Sequence, residues 1–239
     1  MQKTYKKILF DLDNTLVDDD ENRKYAIKQI MIERNEDINN ERVDEFVRFD
    51  NQFWKDRAEG RIKDPYTFEN LEEKTKWIRA ERFIRFFKNV SFEEAVEINS
   101  KYIKNLNEHI VPIENSQEIL KYLYEKQYDI YIVTNGPTKA ISYKLNKINA
   151  QDYIKRIFSA EEAGEMKPSN KFFQKFFNTI ESYDTDEMII IGDELDKDVL
   201  GGINNDIDSC WVNLKKLENN TTLKPSYELN NLLELKNIL

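Results

Sequence analysis

From Val111 onward, short apolar runs alternate with segments of helical periodicity, and that alternation leaves few folds open. Residues 116–126 have helical spacing and residues 129–133 read as a strand. Residues 139–148 are helical again, and a short strand begins at Ile157-Phe158. A helix over 171–180, a very apolar strand over 188–191, a short helix over 196–203 and a strand over 209–212 continue the pattern. The tail, 229–239, predicts a closing helix. Strands separated by helices lie parallel and are joined by right-handed crossovers, so the expected fold is α/β with a doubly wound, mostly parallel sheet. Residues 5–10 supply a first strand, which stops at the polar, turn-prone stretch 11–20.

Between that first strand and the alternating half, residues 21–107 are almost wholly helical in pattern. Phe46, Phe49 and Phe53 recur at helical spacing, as do Trp77, Ala80, Ile84 and Phe87; Gly60 and Asp64-Pro65 are the firm breakers. The block reads as an inserted all-helical cap over 18–107, within a core domain made of 1–17 and 108–239. Hydrophobic residues at 40% can fill such a core, and a net charge of −9 argues against nucleic acid as a partner, since phosphate-backbone binding needs a basic footprint. One cysteine allows no internal disulfide; Cys210 lies in an apolar run and reads as a buried core thiol. The single His109 cannot anchor a zinc site with one cysteine elsewhere, and no Ser-His-Asp arrangement is evident around it. The opening segment has an apolar run of only three residues before charge resumes, so neither signal peptide nor membrane span is predicted and a cytoplasmic location is expected.

Ligands of open parallel sheets bind beyond the carboxyl ends of the strands, and four short motifs fall there. They are Asp11-Leu12-Asp13-Asn14-Thr15, Thr134-Asn135-Gly136, Lys167-Pro168, and the acidic run from Gly192-Asp193 to Asp198. Each alone is ordinary, because an acidic turn is most often a solvated loop or a helix cap. In this order, each at a strand end, they resemble the four motifs of the haloacid dehalogenase superfamily, with the cap inserted just after the first. The run Gly201-Gly202-Ile203-Asn204 with Asp208-Ser209-Cys210-Trp211-Val212-Asn213 further resembles its bacterial pyrimidine 5′-nucleotidases, as does the cap segment around Phe53-Trp54, Glu59-Gly60-Arg61-Ile62 and Arg82-Phe83.

The chemistry is consistent with these residue types. A carboxylate is ionised at neutral pH without help from a base, which suits Asp11 as the nucleophile that takes up a phosphoryl group. The resemblance implies that Asp13 is the general acid and base, which asks for a raised pKa there. It implies that Mg²⁺ is held by the Asp11 carboxylate, the Asp13 backbone carbonyl and Asp193, with Asp198 in support, orienting a metal-bound water or Lys167. Thr134 and the backbone N–H of Asn135 would bind phosphoryl oxygens, and Lys167 would neutralise the nucleophile and the transferred group. Asn14, where many members carry glycine, tolerates a left-handed turn better than most residues. Glu194 and Asp196 suit a helix N-terminus.

The expected activity is therefore Mg²⁺-dependent phosphomonoester hydrolysis through an aspartyl-phosphate, on a small-molecule ester such as a pyrimidine nucleoside 5′-monophosphate, by a monomer or homodimer. A sugar-phosphate phosphatase or phosphomutase is the nearer alternative. Haloacid dehalogenation needs neither Asp13 nor a metal, and a binding module without catalysis would not need all four motifs. Phe53, Trp54 and Trp77 could stack on a base, with Arg82 and Asn51 as further cap candidates, although an aromatic stripe at helical spacing is more often core.

Overall fold

The computed structural model describes residues 4–36 and 38–239; the first three residues of the opening segment and Asp37 of the helical block lie outside it. The chain divides into two compact units: one runs to Asp19 and resumes at Ile110, the other is Asp20–His109. Among the described residues no helix is long and apolar enough to cross a membrane.

The first unit is built on six parallel strands: β1 (Lys7–Phe10), β2 (Asp129–Thr134), β3 (Arg156–Ser159), β4 (Met188–Gly192), β5 (Asp208–Val212) and β6 (Tyr227–Leu229), in the order β3-β2-β1-β4-β5-β6. Such strands are covered on both faces, which is why β4 reads Met-Ile-Ile-Ile with every residue buried. One face carries α5 (Ser116–Glu125) and α6 (Thr138–Lys147), whose Ile119, Leu120, Leu123, Ile141 and Leu145 pack with Ile8, Phe10 and Ile132. On the other, α8 (Asn170–Phe177) sets Phe172, Phe173, Phe176 and Phe177 against Leu9, Tyr131 and Ile190. The short α7 (Ala160–Ala163) follows β3, and a π-type turn, Leu195–Val199, leads into α9 (Leu200–Asn204). Gly202 lets α9 lie close against the sheet: a β-carbon there would lie 2.9 Å from both the Ile190 side chain and the Ile207 carbonyl.

The second unit holds α2 (Asn40–Ala58), α3 (Leu71–Phe87), α4 (Phe92–Glu108) and most of α1 (Asp19–Glu33). Three of these helices start with the same device. The side chains of Asn39, Asn70 and Ser91 accept the backbone N–H of Arg42, Glu73 and Glu94, at 2.8, 2.8 and 3.1 Å. Phe46, Phe83, Phe86 and Tyr102 form the aromatic centre, with Phe46 edge-on to Phe86 at 5.0 Å and to Tyr102 at 5.6 Å. Phe53 is buried core. Arg82 is also buried, its guanidinium donating to Asp50 at 3.0 Å and Asn99 at 3.2 Å, while Asn51 accepts from Arg23 at 2.7 Å. Trp54 donates to Asp50 at 3.1 Å and stays 40% exposed; Trp77 stacks on Phe92. Of the three cap aromatics Trp54 is the most exposed, with the Arg82 guanidinium 5.6 Å from its ring centroid.

Three local expectations need correction. The tail is not a closing helix: it forms the edge strand β6 and a 3₁₀ segment, Leu232–Asn237, because Leu229 pairs with Val212 of β5 and the Asn231 side chain caps the segment by accepting the Leu233 N–H at 2.8 Å. The helical block has two further breaks, before Asn40 and between Phe87 and Phe92, where Asn35 and Lys88 adopt φ of 52° and 64°. The helix expected over 196–203 is a π-type turn joined to a short α-helix. Elsewhere Asn14 takes φ 60°, Cys210 is fully buried, and His109 ends α4 with its ring stacked on Tyr25 at 4.2 Å.

Gly202→Ala should overpack α9 against β4 and lower unfolding stability by about 2 kcal/mol, read as a reduced urea midpoint at unchanged slope.

Candidate active site

The order of the strands dictates where a ligand can enter. The chain leaves β1, builds β2 and β3 on one side, then crosses to β4, β5 and β6 on the other, so β1 sits at the switch point with its carboxyl end flanked by those of β2 and β4. Asp11 follows β1 directly and is fixed by its N–H donating to the Ile191 carbonyl at 2.8 Å. Thr134 ends β2, and Asp193 follows β4.

Lys167 comes in from the loop before α8 and is buried. Its ammonium has three protons and three acceptors: Asp11 Oδ1 at 2.6 Å, Asp198 Oδ1 at 2.7 Å and the Val133 carbonyl at 2.8 Å. Burial works to lower the pKa of this ammonium, and the charges of Asp11 and Asp198 outweigh it, leaving the group raised and firmly cationic. Asn135 holds the backbone of Lys167 from both sides, accepting its N–H at 2.8 Å and donating to its carbonyl at 3.2 Å. The Asn135 side chain therefore places the lysine. Thr134 is buried at the same end, its hydroxyl oxygen accepting the Gly136 N–H at 3.0 Å.

Asp198 has both oxygens engaged, one by Lys167 and the other by the Glu194 N–H at 3.1 Å. That carboxylate turns back over β4 at a place only glycine leaves open: a β-carbon on Gly192 would lie 2.1 Å from Asp198 Oδ2. Asp193 is held through its backbone carbonyl, which accepts the Trp211 indole N–H at 2.9 Å; its carboxylate meets the Thr15 hydroxyl at 3.5 Å. Glu194 precedes the π-type turn and pairs with Lys197 at 2.6 Å, a local role.

Asp11, Asp193 and Asp198 each bring an oxygen to within 4.8 Å of the others. Three carboxylates face one ammonium, so two negative charges stand in excess in a buried place. Burial, then the charges of Asp11 and Asp198, push Asp193 up to about 9. Burial likewise pushes Asp11 up, against the pull of Lys167 and with Asp198 and Asp13 adding to the rise. An all-oxygen donor set with that charge deficit suits a hard divalent cation such as Mg²⁺.

Asp13 turns to a different partner. Lys144 of α6 donates to its Oδ1 at 2.6 Å and to Asp19 Oδ1 at 2.6 Å. Asp11 and Asp13, two residues apart, are thus each held by a separate ammonium. Nothing in the sequence set Lys144 apart from the neighbouring Lys139 and Lys147. Trp211 carried a weak signal, a polar-tipped aromatic one residue before the end of a strand that points at the site.

The family model for haloacid dehalogenase-like hydrolases matches residues 8–212. The chain is 30% identical over 241 residues to the pyrimidine 5′-nucleotidase PynA of Streptococcus pneumoniae, covering 98% of this chain and 97% of that one. It is 27% identical over 146 residues to the pyrimidine 5′-nucleotidase YjjG of Escherichia coli, covering 61% of this chain and 64% of that one. A crystal structure of YfnB from Bacillus subtilis bound to magnesium superposes with a TM-score of 0.85 at 27% identity, covering 99% of each chain. Matched along nearly its whole length, the chain belongs to the haloacid dehalogenase-like hydrolase family.

Proposed function

We propose that this hydrolase cleaves phosphate monoesters, with Asp11 as nucleophile, and that its substrates are pyrimidine nucleoside 5′-monophosphates. The observation that carries the reading is the buried Asp11–Lys167–Asp198 contact with Asp193 beside it, at the switch point of the sheet. An oxygen of Asp11 attacks phosphorus; the bond to the bridging ester oxygen breaks, and its electron pair leaves with that oxygen. Asp13 gives the leaving oxygen a proton, so that a neutral alcohol departs and an aspartyl-phosphate remains. Water then gives a proton to Asp13 and attacks phosphorus, breaking the bond to Asp11 and releasing phosphate. Lys167 stays protonated throughout and opposes the charge that gathers on the phosphoryl oxygens. Thr134 and the Asn135 N–H are assigned to those oxygens.

Asp11, Asp193 and the Asp13 backbone carbonyl are the groups assigned to Mg²⁺, which when bound supplies positive charge against the phosphoryl oxygens. That YfnB is bound to magnesium in its crystal structure supports the choice of metal. Asp198 is assigned to holding Lys167, since both its oxygens are already engaged. The pyrimidine nucleotide assignment is supported by the activities that PynA and YjjG are named for. Asp13 and the acidic cluster favour phosphate esters over haloacids, for which neither is required.

A panel of nucleotides, sugar phosphates and p-nitrophenyl phosphate with Mg²⁺ tests the reading, and the pyrimidine nucleotides should give the highest kcat/KM; a preference for sugar phosphates would displace the substrate assignment. Asp11→Asn should lower kcat by at least about 10³-fold while leaving the thermal melt cooperative. Mg²⁺ at about a hundred times its Kd should stabilise the chain by about 2.7 kcal/mol, and Asp193→Asn should remove that increment together with EDTA-sensitive turnover.

A further inference from the structure

The helix α6 follows β2 and the Thr134 turn, and its buried Ile141 and Leu145 fasten it to the sheet. Lys144 projects from this fastened helix with its side chain 17% exposed, and its ammonium lies 2.6 Å from both Asp13 Oδ1 and Asp19 Oδ1. A lysine on a helix surface ordinarily keeps its head in water on a flexible stem. Here the stem is laid down and the head is clamped between two carboxylates from the segment that follows β1. One of those carboxylates is two residues from the nucleophile; the other is the first residue of α1.

We propose that Lys144 is a positioning residue for the proton-transfer step, setting the carboxyl group of Asp13 where the leaving oxygen departs. The inference rests on the phosphomonoester reading above. In the step itself Lys144 neither gives nor takes a proton: the proton passes from Asp13 to the bridging oxygen as the phosphorus–oxygen bond breaks, and the electron pair of that bond stays on the oxygen. The lysine acts before the step, because the bridge from Asp13 to Val17 holds only the backbone of Asp13, and its side chain is one-third exposed. A charge-assisted hydrogen bond to Oδ1 restrains that carboxyl group, and Asp19 keeps the lysine from swinging away. Displacement of a catalytic group by about 1 Å costs on the order of a hundredfold in rate, so the effect should be large enough to read. The plainer alternative is that the ion pairs only tie α6 to the segment after β1.

The two differ in how they depend on the leaving group. An alkoxide needs the proton from Asp13, whereas p-nitrophenolate leaves without one, and kcat/KM reports the steps up to its departure. Lys144→Ala should lower kcat/KM for uridine 5′-monophosphate by about thirtyfold and for p-nitrophenyl phosphate by less than about threefold. Lys144→Arg should restore the nucleotide rate to within about threefold. In an Asp13→Ala background, Lys144→Ala should cost nothing further, as expected for residues that act as one unit. Equal losses on both esters, or losses that multiply in the double variant, would overturn the proposal. Lys144→Met, which keeps the stem, carries the comparison should the alanine variant not fold. Wild-type turnover separates the two levels of the argument. If the wild type prefers another alkyl phosphate, the nucleotide reading fails and the same ratio is taken on that ester. If it cleaves no phosphate ester, the phosphatase reading fails and Lys144 goes with it.

Discussion

The contact on which the rest of this molecule depends is the buried ammonium of Lys167, shared by Asp11, Asp198 and the Val133 carbonyl. An ammonium taken out of water is tolerated only when its charge and all three protons are answered, and here the answers come from the ends of three different strands or the loops that follow them. Asp11 requires β1 beside β4, Val133 requires β2 beside β1, and Asp198 requires the turn after β4 to fold back over Gly192. The sheet order, the π-type turn and a glycine with no room for a β-carbon all serve this one ion cluster. Asn135 then fixes the lysine backbone, so the cluster is braced from the side that is not charged.

The cluster is also unbalanced by design of its residues. Three carboxylates meet one ammonium, and burial drives Asp11 and Asp193 upward, with the neighbouring carboxylate charges adding to the rise. A divalent cation and a phosphoryl dianion arriving together would leave that surplus distributed over one compact, dry site, the setting in which electrostatic catalysis is strongest. Asp13 stands outside the cluster, attached to Lys144, so the two aspartates of one short run face different charges. That separation suits the distinct roles of nucleophile and proton carrier proposed for them.

Most of the core fold could be read from the chain, because strands buried on both faces must be apolar throughout and helices that cover them must show their period. Met188 to Ile191 and the paired phenylalanines of α8 have no other economical reading. The tail misled because Leu232, Leu235 and the residues near them bury apolar side chains at a spacing that a 3₁₀ segment meets as well as an α-helix. The breaks near Asn35 and Lys88 carry no proline or glycine; each is a single residue in left-handed geometry, which composition does not announce. In the cap, Arg82 looked available for a ligand and is spent on Asp50 and Asn99, a pairing between separate helices that periodicity cannot show.

By itself the sequence determined the residue types: an aspartate after the first strand, a second aspartate two places on, a threonine, a lysine and an acidic run at later strand ends. These follow from local order along the chain, since a turn after an apolar run is written in neighbouring residues. Tertiary structure alone decided which charge meets which. Lys167 is 156 residues from Asp11, and Lys144 is 131 from Asp13, and each pair is made by strand order and helix packing. Ion pairs depend on distances of a few ångströms, and a distance between remote residues is a property of the packed sheet rather than of any segment in it.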